Sequence, residues 1–244
     1  MPERSAAAET GRRPRPTRVS GDQTREKILN AAEALFAEQS FDSVSLRDIT
    51  LKAQVTLALA SYHFGAKEAL FEAVVARRAD VLRDMRLERL ARLAEPDVRA
   101  LLDAFMAPLF EMAGSDEPGW RDYLRVLARL GEHERWVDLL SRHFDATARA
   151  FLEALQTALP GADRRDVARA FTFVLEAMLK AVSQHGRLDK LTEGAARARD
   201  LDKAYPVLLR FTSAGVEAFA RERRISLLPR RRWPKGPDEG GSAS

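Results

Sequence analysis

Apolar residues recur every three or four positions through most of this chain, the spacing of one face of an α-helix. Ile28, Ala32, Leu35 and Phe36 mark the first face, on a helix predicted to run from a cap at Ser20 or Asp22 to about Gln39. Leu46, Ile49 and Ala53 mark a short second helix, and Ala60 with Phe64 a third. Phe41, Val44 and Val55 fall between helices and are expected to plug the core among them. From Lys67 to about residue 94 a long fourth helix carries Ala69, Leu70, Ala73, Val74, Val81 and Leu82. Strand alternation is absent, so the fold class is all-α.

Beyond residue 94 the same period predicts a second, larger helical domain. Pro96-Asp97 begins a helix through Leu101, Leu102, Phe105, Met106, Leu109 and Phe110, and the Gly114–Gly119 stretch breaks it. Trp120, Tyr123, Leu124, Leu127 and Leu130 mark the next. A longer helix is expected from Glu132 to Pro160-Gly161, through Trp136, Leu139, Leu140, Phe144, Phe151 and Leu155. Asp163 caps another, with Phe171, Val174, Leu175, Met178 and Leu179, and Gly186 is expected to stop it. The last helix has Pro206 in its first turn, then Leu208, Leu209, Phe211, Val216 and Phe219.

Residues 45–67 carry the most specific signal. Ser45 can cap the second helix, and Asp48 three residues on completes a capping box. Gln54-Val55 makes a turn, and Thr56 can cap the third helix, Leu57 to Phe64. At about 1.5 Å per residue that helix is about 12 Å long. Such a helix fits a DNA major groove with its first residues at the bases. With Ala60 and Phe64 facing inward, helical geometry turns Leu57, Ala58 and Ser61 outward. Their small or apolar surfaces suit thymine methyls and single hydrogen bonds, so Arg47 is the best candidate for a guanine edge.

On these residues the chain resembles, over 22–75, the N-terminal DNA-binding domain of the tetracycline-repressor (TetR) family. The carriers are Ile28-Leu29-Asn30-Ala31-Ala32, Phe36, Phe41, Ser45-Leu46-Arg47-Asp48-Ile49, Ala53 with Val55, Tyr62-His63-Phe64-Gly65 and Lys67-Glu68-Ala69-Leu70-Phe71. The family usually has Gly where this chain has Ser40 and Gln54. A left-handed residue other than Gly costs roughly 1 kcal/mol, so the turn at Gln54 should be strained. The resemblance implies that Tyr62, His63 and Lys67 hold DNA phosphates, Lys67 with help from free N–H groups at a helix start. Ser45 and Thr56 would divide their hydroxyls between capping and phosphate.

The resemblance also implies what the second domain does. Its last two helices match those that form a four-helix bundle with a second subunit, which makes Phe171, Leu175, Met178, Leu179, Leu208, Phe211 and Gly215 the expected homodimer interface. The middle helices would enclose a small-molecule effector, with Phe105, Met106, Phe110, Trp120, Tyr123 and Phe144 as lining candidates. An aromatic and Met-rich wall suits an apolar or aromatic ligand. Arg125, Arg129 or His133 could meet a ligand carboxylate. From Trp120 to about Leu191 the chain loosely resembles a branch that includes fatty-acid-responsive repressors, which adds a fatty acid or acyl-thioester to the candidate effectors.

Charge and composition change this picture little. The net charge is +4 over 244 residues, and residues 22–67 hold five Lys/Arg against six Asp/Glu. The basic residues gather at the ends: Arg12, Arg13, Arg15 and Arg18 in a leader, and Arg221 to Lys235 near the C-terminus. The expected division is a disordered basic arm (1–20), a helix-turn-helix domain (21–68), a ligand-binding and dimerisation domain (69–225) and a disordered basic tail (226–244). The leader can reach a neighbouring groove. The chain has no cysteine, which excludes disulfides and thiolate chemistry. Neither a signal peptide nor an 18-residue apolar span is evident, so a cytoplasmic, nucleoid-associated protein that does not enter a membrane is expected. His133-Glu134 is half of a zinc motif, but position 137 is Val, and no phosphate loop or serine elbow occurs. No enzyme, metal or cofactor is expected. The expected function is ligand-responsive repression at a palindromic double-stranded DNA operator. The alternatives are an activator, or a ligand- or protein-binding helical module that no longer binds DNA.

Overall fold

The computed structural model describes residues 18–131 and 133–221. The basic arm up to residue 17, Glu132 and the tail from residue 222 lie outside them. Ten α-helices run in order through the described residues, joined by turns and two short 3-10 segments. They are α1 (Arg18–Glu38), α2 (Leu46–Ala53), α3 (Leu57–Phe64), α4 (Lys67–Ala91), α5 (Val98–Gly114), α6 (Trp120–Leu130), α7 (Val137–Ala158), α8 (Arg164–Val182), α9 (Arg187–Leu191) and α10 (Leu201–Arg221).

Helices α1 to α3 form the head. Ile28, Leu29, Ala32 and Phe36 of α1 are buried against Ile49 and Ala53 of α2 and Ala60 of α3. Val44 is buried and Phe41 and Val55 are half-buried, the plugs the sequence predicts. Phe36, Phe41, Phe71 and Trp136 cluster with centroids 4.6–5.9 Å apart, Phe36 stacked on Phe41 and edge-on to Phe71, and Phe41 edge-on to Trp136. That cluster seals the head against α4 and the start of α7. The remaining helices build the larger domain, in which α10 packs on α5 and α8 while α4 packs on α5 and α7.

Several helix ends differ from the sequence reading. Helix α1 extends back to Arg18, so Asp22 lies inside it and caps nothing. Helix α7 starts at Val137 after a 3-10 turn at Glu134–Trp136, not at residue 132. Helix α8 ends at Val182, and Gln184, at φ 53°, takes the left-handed position expected of Gly186, which instead precedes α9. Pro206 is the sixth residue of α10 and lies beyond its first turn. Asp97 and Asp163 cap α5 and α8 as expected, accepting from Ala100 N at 2.7 Å and Arg165 N at 2.8 Å.

Candidate nucleic-acid interface and inner cavity

The head presents α3 on its surface because only one residue of that helix is needed inside. Ala60 is fully buried, while Leu57, Ala58, Leu59, Ser61 and Tyr62 are exposed. Two caps hold the unit. Ser45 Oγ accepts from Asp48 N at 3.2 Å and Ser45 N donates to Asp48 Oδ2 at 2.8 Å, so the predicted capping box is present. The Ser45 hydroxyl, donating to Asp48 Oδ2 at 2.6 Å, and then the Ser45 N–H hold the Asp48 carboxyl below its ordinary range. Thr56 Oγ1 accepts from Leu59 N at 3.4 Å. Between the helices Gln54 stands at φ 56°, ψ 44°, the left-handed turn expected there. Ser40 is different. Its φ of −67° is ordinary extended backbone, and its hydroxyl meets Ser43 Oγ at 2.8 Å, so no strain follows from Ser at that place. Gly65 closes α3 at φ 70°, where an added Cβ would be strained.

Arg47, Tyr62 and Ser61 all stand exposed. The Arg47 guanidinium makes no ion pair among the described residues. Tyr62 is 82% exposed, and its ring meets that of half-buried His63 edge-on at 5.2 Å. Lys67 corrects the expectation for its side chain. Its ammonium donates to the carbonyls of Phe41 at 2.9 Å and Val44 at 3.0 Å and sits 4.1 Å from the Phe41 ring centroid. The side chain is therefore a strut that closes the loop before α2. What α4 offers an anion is the unpaired backbone N–H groups of its first turn.

A cavity of about 350 Å³ lies in the second domain between α4, α5, α6, α7 and α8. Of the six predicted lining residues it includes Phe105 and Phe144. The other four are core. Trp120 and Tyr123 are fully enclosed, the first under the Arg78 guanidinium at 4.9 Å and the second donating its hydroxyl to Val75 O at 2.8 Å. Met106 is completely buried, and Phe110 packs on the Tyr205 ring at 4.8 Å. Burial pushes the Tyr123 phenol far above its usual range, so it stays neutral. Among the cations suggested for a ligand carboxylate, Arg129 donates to Glu38 O at 3.0 Å, Arg125 lies 3.8 Å from Asp122, and neither they nor His133 line this cavity. The cation that does line it is Arg86 of α4, which sequence reasoning missed.

The expected interface residues divide three ways. Phe171 and Met178 of α8 are buried, Phe171 edge-on to Phe105 at 5.1 Å. Leu175 and Leu179 turn to the cavity. Phe211 is 73% exposed, Gly215 is exposed beside it, and Leu208 is half-buried against the core. The outward face of α8 is a different stripe, rotated from the predicted one: Phe173, 68% exposed, with Ala177. Across a shallow groove it meets Val207, Phe211 and Gly215 of α10.

Two family models match the chain. Residues 28–74 match the bacterial regulatory proteins of the tetR family, and residues 103–215 match the tetracyclin repressor-like C-terminal domain. Together they span about two thirds of the sequence. The chain belongs to the TetR family. Among curated TetR-type relatives, it is similar to the HTH-type transcriptional repressor BepR of Brucella suis biovar 1, 29% identical over 42% of this chain and 49% of that one. It is also similar to the HTH-type transcriptional regulator SrpR of Pseudomonas putida, 33% identical over 38% of this chain and 45% of that one. The chain thus spans about half the length of the curated relatives it matches. A crystal structure of a TetR-family transcriptional regulator from Rhodococcus sp. shares the fold, with a TM-score of 0.56 at 17% identity over 81% of this chain and 99% of that one. The TetR family consists of DNA-binding regulators, not enzymes. No described helix is long and apolar enough to cross a membrane.

Proposed function

We propose that this TetR-family protein is a ligand-responsive transcriptional regulator, a repressor that binds a palindromic operator as a homodimer and is released by a small apolar or aromatic effector. The observation that carries the DNA-binding part is the outer face of α3 with Arg47. A short capped helix gives up only Ala60 to full burial and leaves its first turn and Tyr62 to solvent. Leu57, Ala58 and Ser61 would face the bases, and Ser45, Thr56, Tyr62 and His63 the phosphates. Homodimerisation is supported by the exposed Phe173, Val207 and Phe211, a contiguous apolar face that a lone chain would leave in water. Two heads about 34–36 Å apart would occupy successive major grooves. The cavity supports the effector, and α4 runs directly from its wall into the head. A ligand that fits one arrangement of the heads better than another shifts the population toward it. Acting on the genome would place the protein at the nucleoid.

Selection from a randomised duplex pool with the purified protein is expected to recover a palindromic site. Tyr62→Ala should weaken binding to that site and leave thermal stability unchanged, because the ring is exposed. Affinity should also fall steeply with salt. If no sequence is enriched even at low salt, operator binding is not the function.

A further inference from the structure

The cavity floor holds a charge that the fold does not neutralise. Arg86 is buried, and its Nε donates to Phe105 O at 2.8 Å. Its Nη2 has only the Met178 sulfur at 3.9 Å, a weak acceptor, and the guanidinium lies 4.0 Å from the Phe105 ring centroid. No carboxylate pairs with it among the described residues, and Nη1 makes no hydrogen bond there. A guanidinium carries five donors in a rigid fork and no acceptor, so most of this fork stands unused at the edge of an open space. Burial pushes its pKa down to about 10, which still leaves it charged at neutral pH.

The rest of the cavity grades from apolar to acidic. Leu82, Leu109, Leu127 and Met178 are buried apolar residues of its lining. The acidic residues are toward solvent: Asp138 and Glu176 are exposed, and half-buried Asp145 accepts from Ser141 Oγ at 2.7 Å and Arg149 at 3.1 Å. An anion can therefore be held only at the floor, and a second anionic group on the same molecule would meet carboxylates at the mouth. The volume is at the lower end of the range of small-molecule sites.

We propose that the cavity selects a monocarboxylate: an organic acid whose one carboxylate sits in the Arg86 fork and whose apolar body lies along Phe105, Leu109, Phe144 and Met178. This rests on reading the cavity as the effector site. A carboxylate matches the guanidinium fork in two parallel hydrogen bonds, and a charge-assisted pair in a dry site is stronger than a neutral one. The acid also supplies the counter-charge that the fold leaves out.

The test is calorimetric titration of the full chain with two probe sets, each sharing one apolar body: 1-naphthoate, 1-naphthalenemethanol and 1-naphthylmethylamine, then decanoate, 1-decanol and decylamine. In at least one set the acid should bind about tenfold or more tighter than the alcohol, with the amine weakest. Arg86→Met should lose the preference for the acid, and Arg86→Lys should keep part of it. The wild-type order of head groups is a test that needs no variant to fold. Preference for the amines, no preference in both sets, binding of none of the six, or an Arg86→Met protein that still prefers the acid would each overturn the proposal. Titrating the selected operator in the presence of the bound acid separates the two readings. An acid that binds through Arg86 without changing operator affinity leaves the carboxylate site standing and removes the gating. A cavity that prefers the amines removes the carboxylate site whatever the DNA does.

Discussion

Helix α4 carries two buried arginines eight residues apart, and they are treated in opposite ways. Arg78 is paired: Nε and Nη2 reach the two Glu33 oxygens at 3.1 Å each, Nη2 also donates to Pro118 O at 2.8 Å, Nη1 lies 3.9 Å from Glu117, and the guanidinium covers Trp120. Its partners come from α1, from the turn before α6 and from α6 itself, so this one group clamps the head to the larger domain. Arg86 has a carbonyl, a thioether and an aromatic face, and no anion. A buried charge held by its own carboxylate is a fastener, costly to remove because that partner is left alone. A buried charge that no carboxylate meets can take an anion from a ligand. The same residue type on one helix thus divides structural duty from recognition according to what α1, α5 and α8 bring against it.

The largest expected effect is at the clamp. Arg78→Met should lower stability by about 3 kcal/mol in chemical denaturation, because Glu33 is left buried without its main partner. Adding Glu33→Leu should restore most of the loss, and a double variant no better than the single one would break the account. Next is Gly119, which enters α6 at φ 85°. A Cβ there would stand 2.3 Å from both Arg78 Nη2 and Glu33 Oε1. Gly119→Ala should cost about 2 kcal/mol through backbone strain and displacement of the pair. Arg86→Met, by contrast, should change unliganded stability by no more than about 1 kcal/mol, since loss of one hydrogen bond is offset by relief of a lone desolvated charge. A loss as large as that at Arg78 would erase the distinction between the two arginines.

The smallest effect is in the pH dependence of the clamp. Burial holds the Glu33 carboxyl above its usual range, against the pull of Arg78 and Arg77. The folded state therefore binds that proton more tightly than the unfolded chain, and this contribution to stability grows as pH falls through the raised pKa and is fully present below the unfolded value. Asp48 and Asp163 are held low by hydrogen bonds, from Ser45 and from the Arg165 backbone respectively, and act in the reverse sense. Their contributions are lost as pH falls through their lowered values. Melting temperature should thus rise slightly from pH 7 to about pH 5 in the wild type relative to Glu33→Gln, and fall in both below about pH 4.

The head was legible in the sequence because its devices are local. Ser45 and Asp48 signal their capping box three residues apart, Gln54 marks its own turn, and one stripe of three residues orients α2. The cavity was not legible, because its wall is gathered from five helices and the period of 3.6 gives the same signature to core and to lining. Trp120 and Tyr123 are as aromatic as Phe105 and Phe144, and only the packing of α1 and α4 over them makes them core. Helix α8 carries a broad apolar stripe, so its pattern did not separate Phe171 and Met178, turned inward, from Phe173, turned out. Arg86 sits among Arg77, Arg78, Arg83 and Arg89 on one helix, and nothing in its neighbours along the chain distinguishes the one that α5 and α8 bury. Lys67 was misread for a similar reason: its acceptors, Phe41 and Val44, lie more than twenty residues before it.

Helix α4 contains neither glycine nor proline from Lys67 to Ala91. Nineteen residues separate its first residue from Arg86, about 28 Å of unbroken rod. A tilt of about 5° pivoting at Arg86 would sweep the start of that rod through about 2.5 Å, by the same rise per residue. That displacement is nearly a whole hydrogen-bond length, so an angular change too small to disturb the packing of the cavity wall would carry a side chain of the head from contact with a base edge to none.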